Sequence, residues 1–313
     1  MNRKWAFLFP GQGAQYPGMA KDFFDSFASA RHVFEEADEL LGFPLSKLIF
    51  EGPKEELTLT RNSQTAIYVA SIAILRTIQE QFPELAPKVC AGLSLGEYTA
   101  ITAAGKLPFR EGLPLVRSRA VYMDEACRQH PGTMQVVLGM DEKSVEEVLA
   151  GIAQNVWVAN LNCPGQIVIA GTIVAIAVAA EALKSKGAKR VLSMDVSGAF
   201  HCGLMQEAKE KLAPHIAAVQ LKESTIEVVM NVPGSYVSDI AEMRSNMIDQ
   251  VTSPVRWEKG VRAMMQQGIE SYLEIGCGKT LSGMNKRIGV AEPMLSIEKV
   301  SDLDELERIL CNY

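Results

Sequence analysis

The chain alternates short, wholly apolar segments with longer segments whose apolar residues recur every three or four positions. The first pattern is typical of strands buried in a parallel sheet, and the second of helices that cover such a sheet. The alternation therefore predicts an α/β fold with a largely parallel sheet. The predicted strands of the first half are Trp5–Phe9 and Val89–Leu93, and its predicted helices are Gly18–Phe27, Ala30–Leu41, Ser63–Gln81, Glu97–Ala104 and Phe109–Cys127.

A different rhythm begins near residue 128 and predicts the element order βαββαβ, which is the ferredoxin-like unit. We therefore expect a small ferredoxin-like subdomain at 128–196, inserted into a large α/β domain built from 1–127 and 197–313. The strands predicted for the subdomain are Met134–Gly139, Val156–Leu161, Gln166–Ala170 and Arg190–Asp195, and its helices are Asp141–Ala153 and Val174–Lys186.

Composition is that of an ordinary soluble globular protein and excludes several classes of function. The 313 residues are 48% hydrophobic, enough for a substantial core. No apolar run approaches the roughly 20 residues that a membrane span needs. A net charge of −6 argues against general nucleic-acid binding. The six scattered cysteines form no CxxC pair, so we expect neither a zinc site nor a disulfide framework, as in a reducing cytoplasm.

The strongest chemical signal is the G-x-S-x-G pattern of Gly92–Gly96, which lies between a predicted strand and a predicted helix. This is the pattern of a nucleophile elbow. Its two glycines permit a tight turn that exposes the Ser94 hydroxyl above a helix N-terminus, which favours an oxyanion. The expected intermediate is an acyl group on Ser94. The structural alternative, a serine that only caps the helix, needs no flanking pair of glycines.

A serine nucleophile needs a base, and His201 is the best-placed histidine because it follows a predicted strand in a loop. Hydrolases with this elbow carry an acid between the serine and the histidine in sequence. The nearest acid, Asp195, makes no convincing third member. Cys202 is a rival nucleophile next to His201. However, side chains adjacent in sequence point apart, so His201 is poorly placed to activate it. The other three histidines lie in polar helices or at the domain junction: His32, His130 and His215.

Two arginines, Arg117 and Arg119, lie on the predicted helix Phe109–Cys127. Residues two apart on a helix face different ways, so at most one of them points into a cleft. Arg119 shares a face with Met123, and Arg117 shares one with Val121. Spacing alone leaves the choice open, and a solvated arginine paired with a carboxylate is the alternative for either.

The chain resembles the malonyl-CoA:acyl carrier protein transacylases over nearly its whole length. The resemblance is carried, in sequence order, by four segments and one arginine: Pro10–Gln15, Gly92–Tyr98, Arg119, Gly198–His201 and Gly276–Lys279. The resemblance implies a hydrolase-like α/β domain with a ferredoxin-like insertion. It also implies ping-pong transfer in fatty-acid biosynthesis. Ser94 takes malonyl from malonyl-CoA and passes it to the phosphopantetheine thiol of acyl carrier protein. Malonyl-CoA is then the substrate, and neither a bound cofactor nor a metal is implied.

The resemblance also assigns catalytic roles residue by residue. His201 matches the base, and Gln250 matches the residue whose backbone carbonyl, in place of a carboxylate, orients the imidazole. Gln12 and Leu95 match the positions whose backbone N–H groups form the oxyanion hole.

The resemblance to this family also identifies the residues that select the acyl group. Arg119 matches the arginine that binds the malonyl carboxylate, and Met123 shares its helix face. Phe200 matches the form that excludes an α-methyl branch by packing. The chain departs from the family pattern at Leu93, where histidine is common, and at Cys277, where proline is common.

Because acyl carrier proteins are acidic, an acidic enzyme needs a local basic patch for docking. The sequence offers one group at the end of the insertion and another on the large domain, with ordinary solvated side chains as the alternative. The main candidates are Lys189, Arg190, Lys286 and Arg287, accompanied by Lys184, Lys186 and Lys279.

Three alternatives remain open at this stage. A serine esterase or thioesterase would pass the acyl group to water. An enzyme of the same fold could serve a polyketide pathway or load another acyl group. A non-catalytic scaffold would keep the fold without the reaction. The expected enzyme is a cytoplasmic monomer that binds neither nucleic acid nor membrane.

Overall fold

The computed structural model describes residues 3–153 and 155–311. The predicted domain ranges also include positions 1, 2, 154, 312 and 313, which lie outside the described residues. The strands are β1 Trp5–Phe9, β2 Pro87–Gly92, β3 Gly132–Leu138, β4 Val156–Cys163, β5 Gln166–Thr172, β6 Arg190–Ser193, β7 Glu227–Met230, β8 Ser235–Val237, β9 Ser271–Ile275 and β10 Met294–Ile297.

The helices cover the sheets and supply several residues of the site. Three short 3-10 helices accompany them at Gly203–Met205, Gln250–Thr252 and Val300–Asp302. The α-helices are α1 Lys21–Ser26, α2 Ala28–Leu41, α3 Leu45–Glu51, α4 Lys54–Thr58, α5 Thr60–Gln81, α6 Leu95–Ala103, α7 Phe109–Gln129, α8 Glu142–Ala150, α9 Ile173–Ser185, α10 Gln206–Ala218, α11 Ile240–Asp249, α12 Trp257–Gln266, α13 Thr280–Ile288 and α14 Leu303–Cys311.

The larger sheet has the strand order β10-β9-β1-β2-β7-β8, and only its edge pair, β7 with β8, is antiparallel. β1 is buried along its whole length, as a parallel strand covered on both faces must be. Phe9 at the end of β1 pairs with Gly92 at the end of β2. The loops that follow these two strands therefore leave the same edge of the sheet, next to each other. The predicted α/β class is confirmed.

The smaller sheet has the strand order β4-β5-β3-β6, with every neighbouring pair antiparallel. Together with α8 and α9 it forms the predicted βαββαβ unit. These helices pack on one face through their own apolar core, and the opposite face joins the main core of the protein. β4 also contacts the large domain directly, because Leu161 N–H donates to Val255 O at 2.8 Å and Val255 N–H donates to Ala159 O at 2.9 Å. The domain limits at 128 and 196 stay a prediction.

Several element ends differ from the predicted ones for local reasons. α6 begins at Leu95, two residues earlier than predicted, because the chain turns into the helix directly after Ser94. α1 begins at Lys21 rather than Gly18, because Ala20 has a left-handed backbone conformation (φ 55°) that a helix cannot include. The final strand of the insertion, β6, ends at Ser193 and leaves residues 194–200 as an irregular segment leading to His201.

Candidate active site

Ser94 lies at the turn between β2 and α6 with φ 53° and ψ −104°, a conformation that non-glycine residues rarely adopt. The two glycines of the motif make the turn possible. A Cβ at Gly92 would lie 2.0 Å from the carbonyl of Gly96, and a Cβ at Gly96 would lie 2.1 Å from Phe9 O. Because neither position has room for a side chain, α6 packs directly on the ends of β1 and β2. The turn holds the Ser94 hydroxyl clear of the backbone.

The elbow is tied to the next strand by Asn231, which follows β7. Its Oδ1 accepts the Ser94 N–H at 2.8 Å, and its Nδ2 donates to Gly92 O at 2.8 Å. One buried amide thus bonds the backbone on both sides of Leu93. Sequence reasoning missed this residue, since an asparagine 137 positions away carries no local signal.

His201 lies with its Nε2 2.7 Å from Ser94 Oγ. Its other nitrogen, Nδ1, donates to the backbone carbonyl of Gln250 at 2.8 Å, which leaves Nε2 as the acceptor for the serine proton. The carbonyl therefore occupies the position that an acid takes in a Ser-His-Asp triad. Burial, and then the positive charge of Arg119, lower the pKa of His201 to about 4, so the ring is neutral at pH 7.

The remaining candidates for base, acid and nucleophile lie elsewhere or are unreactive. His32 is exposed on α2, His130 pairs with Glu207, and His215 bonds Tyr122. Asp195 is exposed at the edge of the pocket. Cys202 is fully buried, and burial raises the pKa of its thiol to about 11, which disfavours the nucleophilic thiolate.

Arg119 reaches Ser94 from α7, and only 1% of its surface is exposed. Its Nη2 donates to Ser94 Oγ at 3.0 Å and to Gln250 Oε1 at 2.9 Å, while its Nη1 donates to Gln64 Oε1. The guanidinium lies over the ring of Tyr98, 5.4 Å from its centroid. Burial lowers the pKa of Arg119, but guanidinium remains charged in proteins.

One donor of Arg119 has no partner in the described part of the chain: its buried Nε–H. A buried unsatisfied donor on a charged group is costly, so such an atom in a site calls for an explanation. Arg117, the alternative left open by helical spacing, points away. It donates to Arg61 O and to Asn62 Oδ1 at the start of α5.

Ser94 and His201 open into a cavity of about 420 Å³ between the large domain and the inserted unit. Met123 and Phe200, both buried, line it beside the serine. Gln12 also lines the cavity, and its side chain bonds Thr60 and Gln64. Other members of the wall are Gly11, Leu93, Met134, Asn160, Asn162, Val168, Met194, Thr280 and Met284.

The two positions matched to an oxyanion hole converge on the elbow. Gly11, next to Gln12, approaches so closely that a Cβ there would lie 2.4 Å from Leu93 O. Leu95 is the first residue of α6, where N–H groups have no acceptor within the helix. The loop after β1 and the N-terminus of α6 thus meet beside Ser94.

The four basic residues considered for docking are exposed in two places, Lys189 and Arg190 at the start of β6 and Lys286 and Arg287 at the end of α13. Two of them lie beside residues that line a second cavity, of about 820 Å³. Lys189 packs over Gly139, and Arg287 lies beside the Cys163 thiol.

β4 separates the two cavities, because alternate residues of a strand face opposite sides. Asn160 and Asn162 line the active-site cavity, whereas Leu161 and Cys163 line the second one. Lys189 and Arg287 therefore lie on the side of β4 away from the active-site cavity.

Two further buried residues escaped sequence reasoning. Glu97, within the elbow motif, accepts from Gln250 Nε2 at 2.9 Å and from the Asn231 backbone N–H. Gln64 lies in the polar first turns of helix α5 and holds Arg119. Its polar neighbours in sequence gave no signal for Gln64, whereas only its place inside the motif distinguished Glu97.

Within residues 3–153 and 155–311, no three side chains of the His, Cys, Asp and Glu types are grouped as a metal site. In the same part of the chain, no helix combines the length and the apolar character that crossing a membrane requires.

Comparison with known proteins agrees with this geometry. The family model described as "Acyl transferase domain" matches residues 6–292. The chain belongs to the acyl transferase family. It is 42% identical over 307 residues to the malonyl CoA-acyl carrier protein transacylase of Bacillus subtilis, covering 97% of this chain and 95% of that protein.

Solved structures of family members superpose closely on the whole chain. The malonyl CoA-acyl carrier protein transacylase of Clostridium perfringens has a TM-score of 0.94 and 35% identity, with coverage of 99% of this chain and 98% of that chain. A malonyl-transacylase solved in complex with its type II PKS acyl-carrier protein has a TM-score of 0.93 and 37% identity, with coverage of 97% and 99%. The acyl transferase fold of this chain therefore extends over both sheets.

The low pKa of His201 makes a testable prediction about stability. The unfolded chain takes up a proton near pH 6.5, whereas the folded histidine stays neutral down to about pH 4. Stability from neutral His201 is therefore complete above pH 6.5 and is lost as the pH falls from 6.5 towards 4. Between pH 7 and pH 5, wild type should lose about 2 kcal/mol more of its free energy of unfolding than His201→Ala loses.

Urea unfolding of both proteins at the two pH values measures this difference, and NMR titration of the imidazole gives the pKa directly. An equal loss in the two proteins, or a midpoint near 6.5, would contradict the assignment of a neutral, buried His201.

Proposed function

We propose that the protein transfers a malonyl group from malonyl-CoA to the phosphopantetheine thiol of acyl carrier protein, through an ester on Ser94. One observation carries the proposal: Ser94 Oγ lies between a neutral base, His201, and a buried cation, Arg119. A base beside the hydroxyl serves acyl transfer, and a cation with a free buried donor serves an acyl group that ends in a carboxylate. The names of the relatives describe the same reaction.

In the first half-reaction, His201 Nε2 accepts the proton of Ser94 as Oγ attacks the thioester carbonyl. The Gln250 carbonyl holds the ring in the required tautomer and stabilises its positive charge. The N–H groups of Gln12 and Leu95 stabilise the oxyanion, a contribution of about 3 kcal/mol for each donor. The intermediate then collapses, the C–S bond breaks, and the coenzyme A thiolate leaves with the proton from His201.

The second half-reaction reverses these steps with a different thiol. The carrier thiol gives its proton to His201 and attacks the ester carbonyl. Ser94 leaves with that proton, and the malonyl group ends as a thioester on the carrier. No metal or resident cofactor takes part in this scheme. The oxidation state of every group is unchanged.

Selection of malonyl rests on Arg119 and on the apolar wall beside it. A guanidinium can bind a carboxylate through two parallel hydrogen bonds, and Arg119 retains a free Nε–H for this purpose. Phe200 and Met123 line the space next to the serine, where an α-methyl branch of the acyl group would lie. Exclusion of one methyl group by packing contributes about 1–3 kcal/mol of discrimination. Leu93, in place of the common histidine, adds to the apolar lining.

The cellular compartment, the oligomeric state and the pathway are part of the same proposal. We place the enzyme in the cytoplasm as a monomer in fatty-acid biosynthesis, with malonyl-CoA and acyl carrier protein as its reaction partners. Free cysteines support a reducing compartment, because Cys90, Cys127, Cys163, Cys202, Cys277 and Cys311 are all unpaired.

For carrier docking we propose the exposed cations Lys189 and Arg190 at the start of β6 with Lys286 and Arg287 on α13. An acidic partner gains association rate and orientation from such a patch. One cation of each group, Lys189 and Arg287, lies beside the second cavity, which supports a shared role.

Substitution Ser94→Ala tests the intermediate. Wild type exposed to malonyl-CoA should gain the mass of one malonyl group and lose it again when holo acyl carrier protein is added. Ser94→Ala should gain no mass, because the ester oxygen is absent. Intact-mass spectrometry measures both. Retention of a malonyl group by the variant would refute the assignment, and faster release to water than to carrier in wild type would favour a thioesterase instead.

Substitution Arg119→Ala tests acyl selection, with Arg117→Ala as a matched control on the same helix. The first should lower kcat/KM for malonyl-CoA by a hundredfold or more, since hydrogen bonds to charged groups in a buried site are lost. Use of acetyl-CoA relative to malonyl-CoA should rise. Arg117→Ala should leave the ratio unchanged, because Arg117 contacts α5 and not Ser94. Equal malonyl-to-acetyl ratios in all three proteins would refute the role of Arg119.

Reversing charge at both Lys189 and Arg190 to Glu tests docking. KM for acyl carrier protein should rise severalfold at low salt and less at high salt, while KM for malonyl-CoA stays constant. The control carries the same change in net charge at two exposed positions elsewhere, Lys21→Glu with Arg308→Glu. If both double variants raise KM for the carrier equally, the effect comes from net charge and the proposed patch is wrong.

A further inference from the structure

Arg119 is a buried cation without a carboxylate beside it. Among the described residues, no Asp or Glu oxygen lies within ion-pair distance of its guanidinium; its hydrogen-bond acceptors are the amides of Gln64 and Gln250 and the hydroxyl of Ser94. A buried charge is normally paired, because desolvation without compensation is costly.

The carboxyl group of Glu97 is one amide away from Arg119. Gln250 Oε1 accepts from Arg119 Nη2 at 2.9 Å, and Gln250 Nε2 donates to Glu97 Oε1 at 2.9 Å. Glu97 is 0% exposed, and its other oxygen, Oε2, accepts the Asn231 backbone N–H. Both carboxyl oxygens therefore face hydrogen-bond donors. Burial raises the pKa of Glu97 to about 8, and the Asn231 N–H, Arg119 and Gln250 act against that rise.

The direction of the Gln250 side chain follows from these contacts. Its Nε2 faces three acceptors, Glu97 Oε1, Ser94 O at 2.9 Å and Asn231 Oδ1 at 3.3 Å, so only the amide oxygen is left for Arg119. The amide nitrogen can only donate, so these three acceptors hold the amide in this orientation. The amide oxygen in turn holds Nη2 of the arginine next to Ser94 Oγ.

We propose that Glu97 is a positioning residue for acyl selection: by accepting from the Gln250 side chain, it orients Arg119 without occupying the donors that the substrate carboxylate needs. A carboxylate in direct contact would satisfy the guanidinium and compete with malonyl. The amide of Gln250 keeps the carboxyl group of Glu97 out of direct contact with Arg119, which retains a free Nε–H for the substrate. This inference rests on the proposed function, because it concerns the acyl group that Arg119 selects.

The first test is Glu97→Gln, which preserves shape and replaces one carboxyl oxygen with an N–H donor. With one carbonyl oxygen in place of two acceptors, the new side chain cannot serve both Gln250 Nε2 and the Asn231 N–H. The amide of Gln250 then loses its fixed orientation. KM for malonyl-CoA in acyl-serine formation should rise about tenfold or more, with a smaller change in kcat. The malonyl-to-acetyl ratio of kcat/KM should fall by a similar factor.

The matched control is Glu274→Gln, at the other wholly buried glutamate. Glu274 accepts the N–H groups of Leu281 and Ser282 at the start of α13 and makes no contact with Arg119. Its substitution should lower the melting temperature without changing the malonyl-to-acetyl ratio. An unchanged ratio in Glu97→Gln would overturn the inference. Absence of any malonyl-serine in wild type would instead overturn the proposed function, so the two failures are distinguishable.

A second pair of variants keeps the test informative if Glu97→Gln fails to fold. Gln250→Met retains the backbone carbonyl that holds His201 and removes the amide spacer, so the ratio should fall while the His201 pKa measured by NMR stays low. The exchange Glu97→Gln with Gln250→Glu conserves net charge but places a carboxylate against Arg119. It should leave the ratio low, and recovery of the wild-type ratio would show that the amide spacer has no role.

Discussion

The active site depends on one close approach of backbone to backbone, where α6 packs against the ends of β1 and β2. Gly92 and Gly96 permit it, since a Cβ at either position would overlap a main-chain carbonyl. The approach forces Ser94 into its unusual conformation and brings the loop of Gln12 next to the N-terminus of α6. The nucleophile and the two proposed oxyanion donors are thus consequences of a single turn. Asn231 stabilises that turn from the neighbouring strand.

Around this turn, main-chain carbonyl and side-chain amide groups orient the functional residues. In Ser-His-Asp enzymes a carboxylate orients the histidine. A carbonyl orients His201, an asparagine holds the elbow, and two glutamines hold Arg119. Amides fix direction through hydrogen bonds without adding charge. A negative charge next to Arg119 or His201 would compete with the anionic substrate or raise the histidine pKa. The arrangement keeps the cavity favourable for a carboxylate.

The sequence allowed much of the fold to be predicted, because burial on both sides of a strand and amphipathic helices leave direct periodic patterns. Ser94 followed from a local motif, and His201 from its position after a strand. Helical spacing could not separate Arg119 from Arg117, since each shares a face with an apolar neighbour; the resemblance chose Arg119, and the structure places it at the serine. Asn231 and the Glu97–Gln250 contact could not be predicted, because they join segments 134 to 153 positions apart through single polar atoms.

The inserted unit has a consequence for how the chain becomes active. Ser94 and His201 are 107 positions apart, and the whole of the smaller sheet is encoded between them. Their contact requires that the entropy of closing the intervening chain be overcome. A nascent chain that has completed only its first large segment carries the serine but not its base. The serine and its base therefore meet only after the whole insertion has been added to the chain.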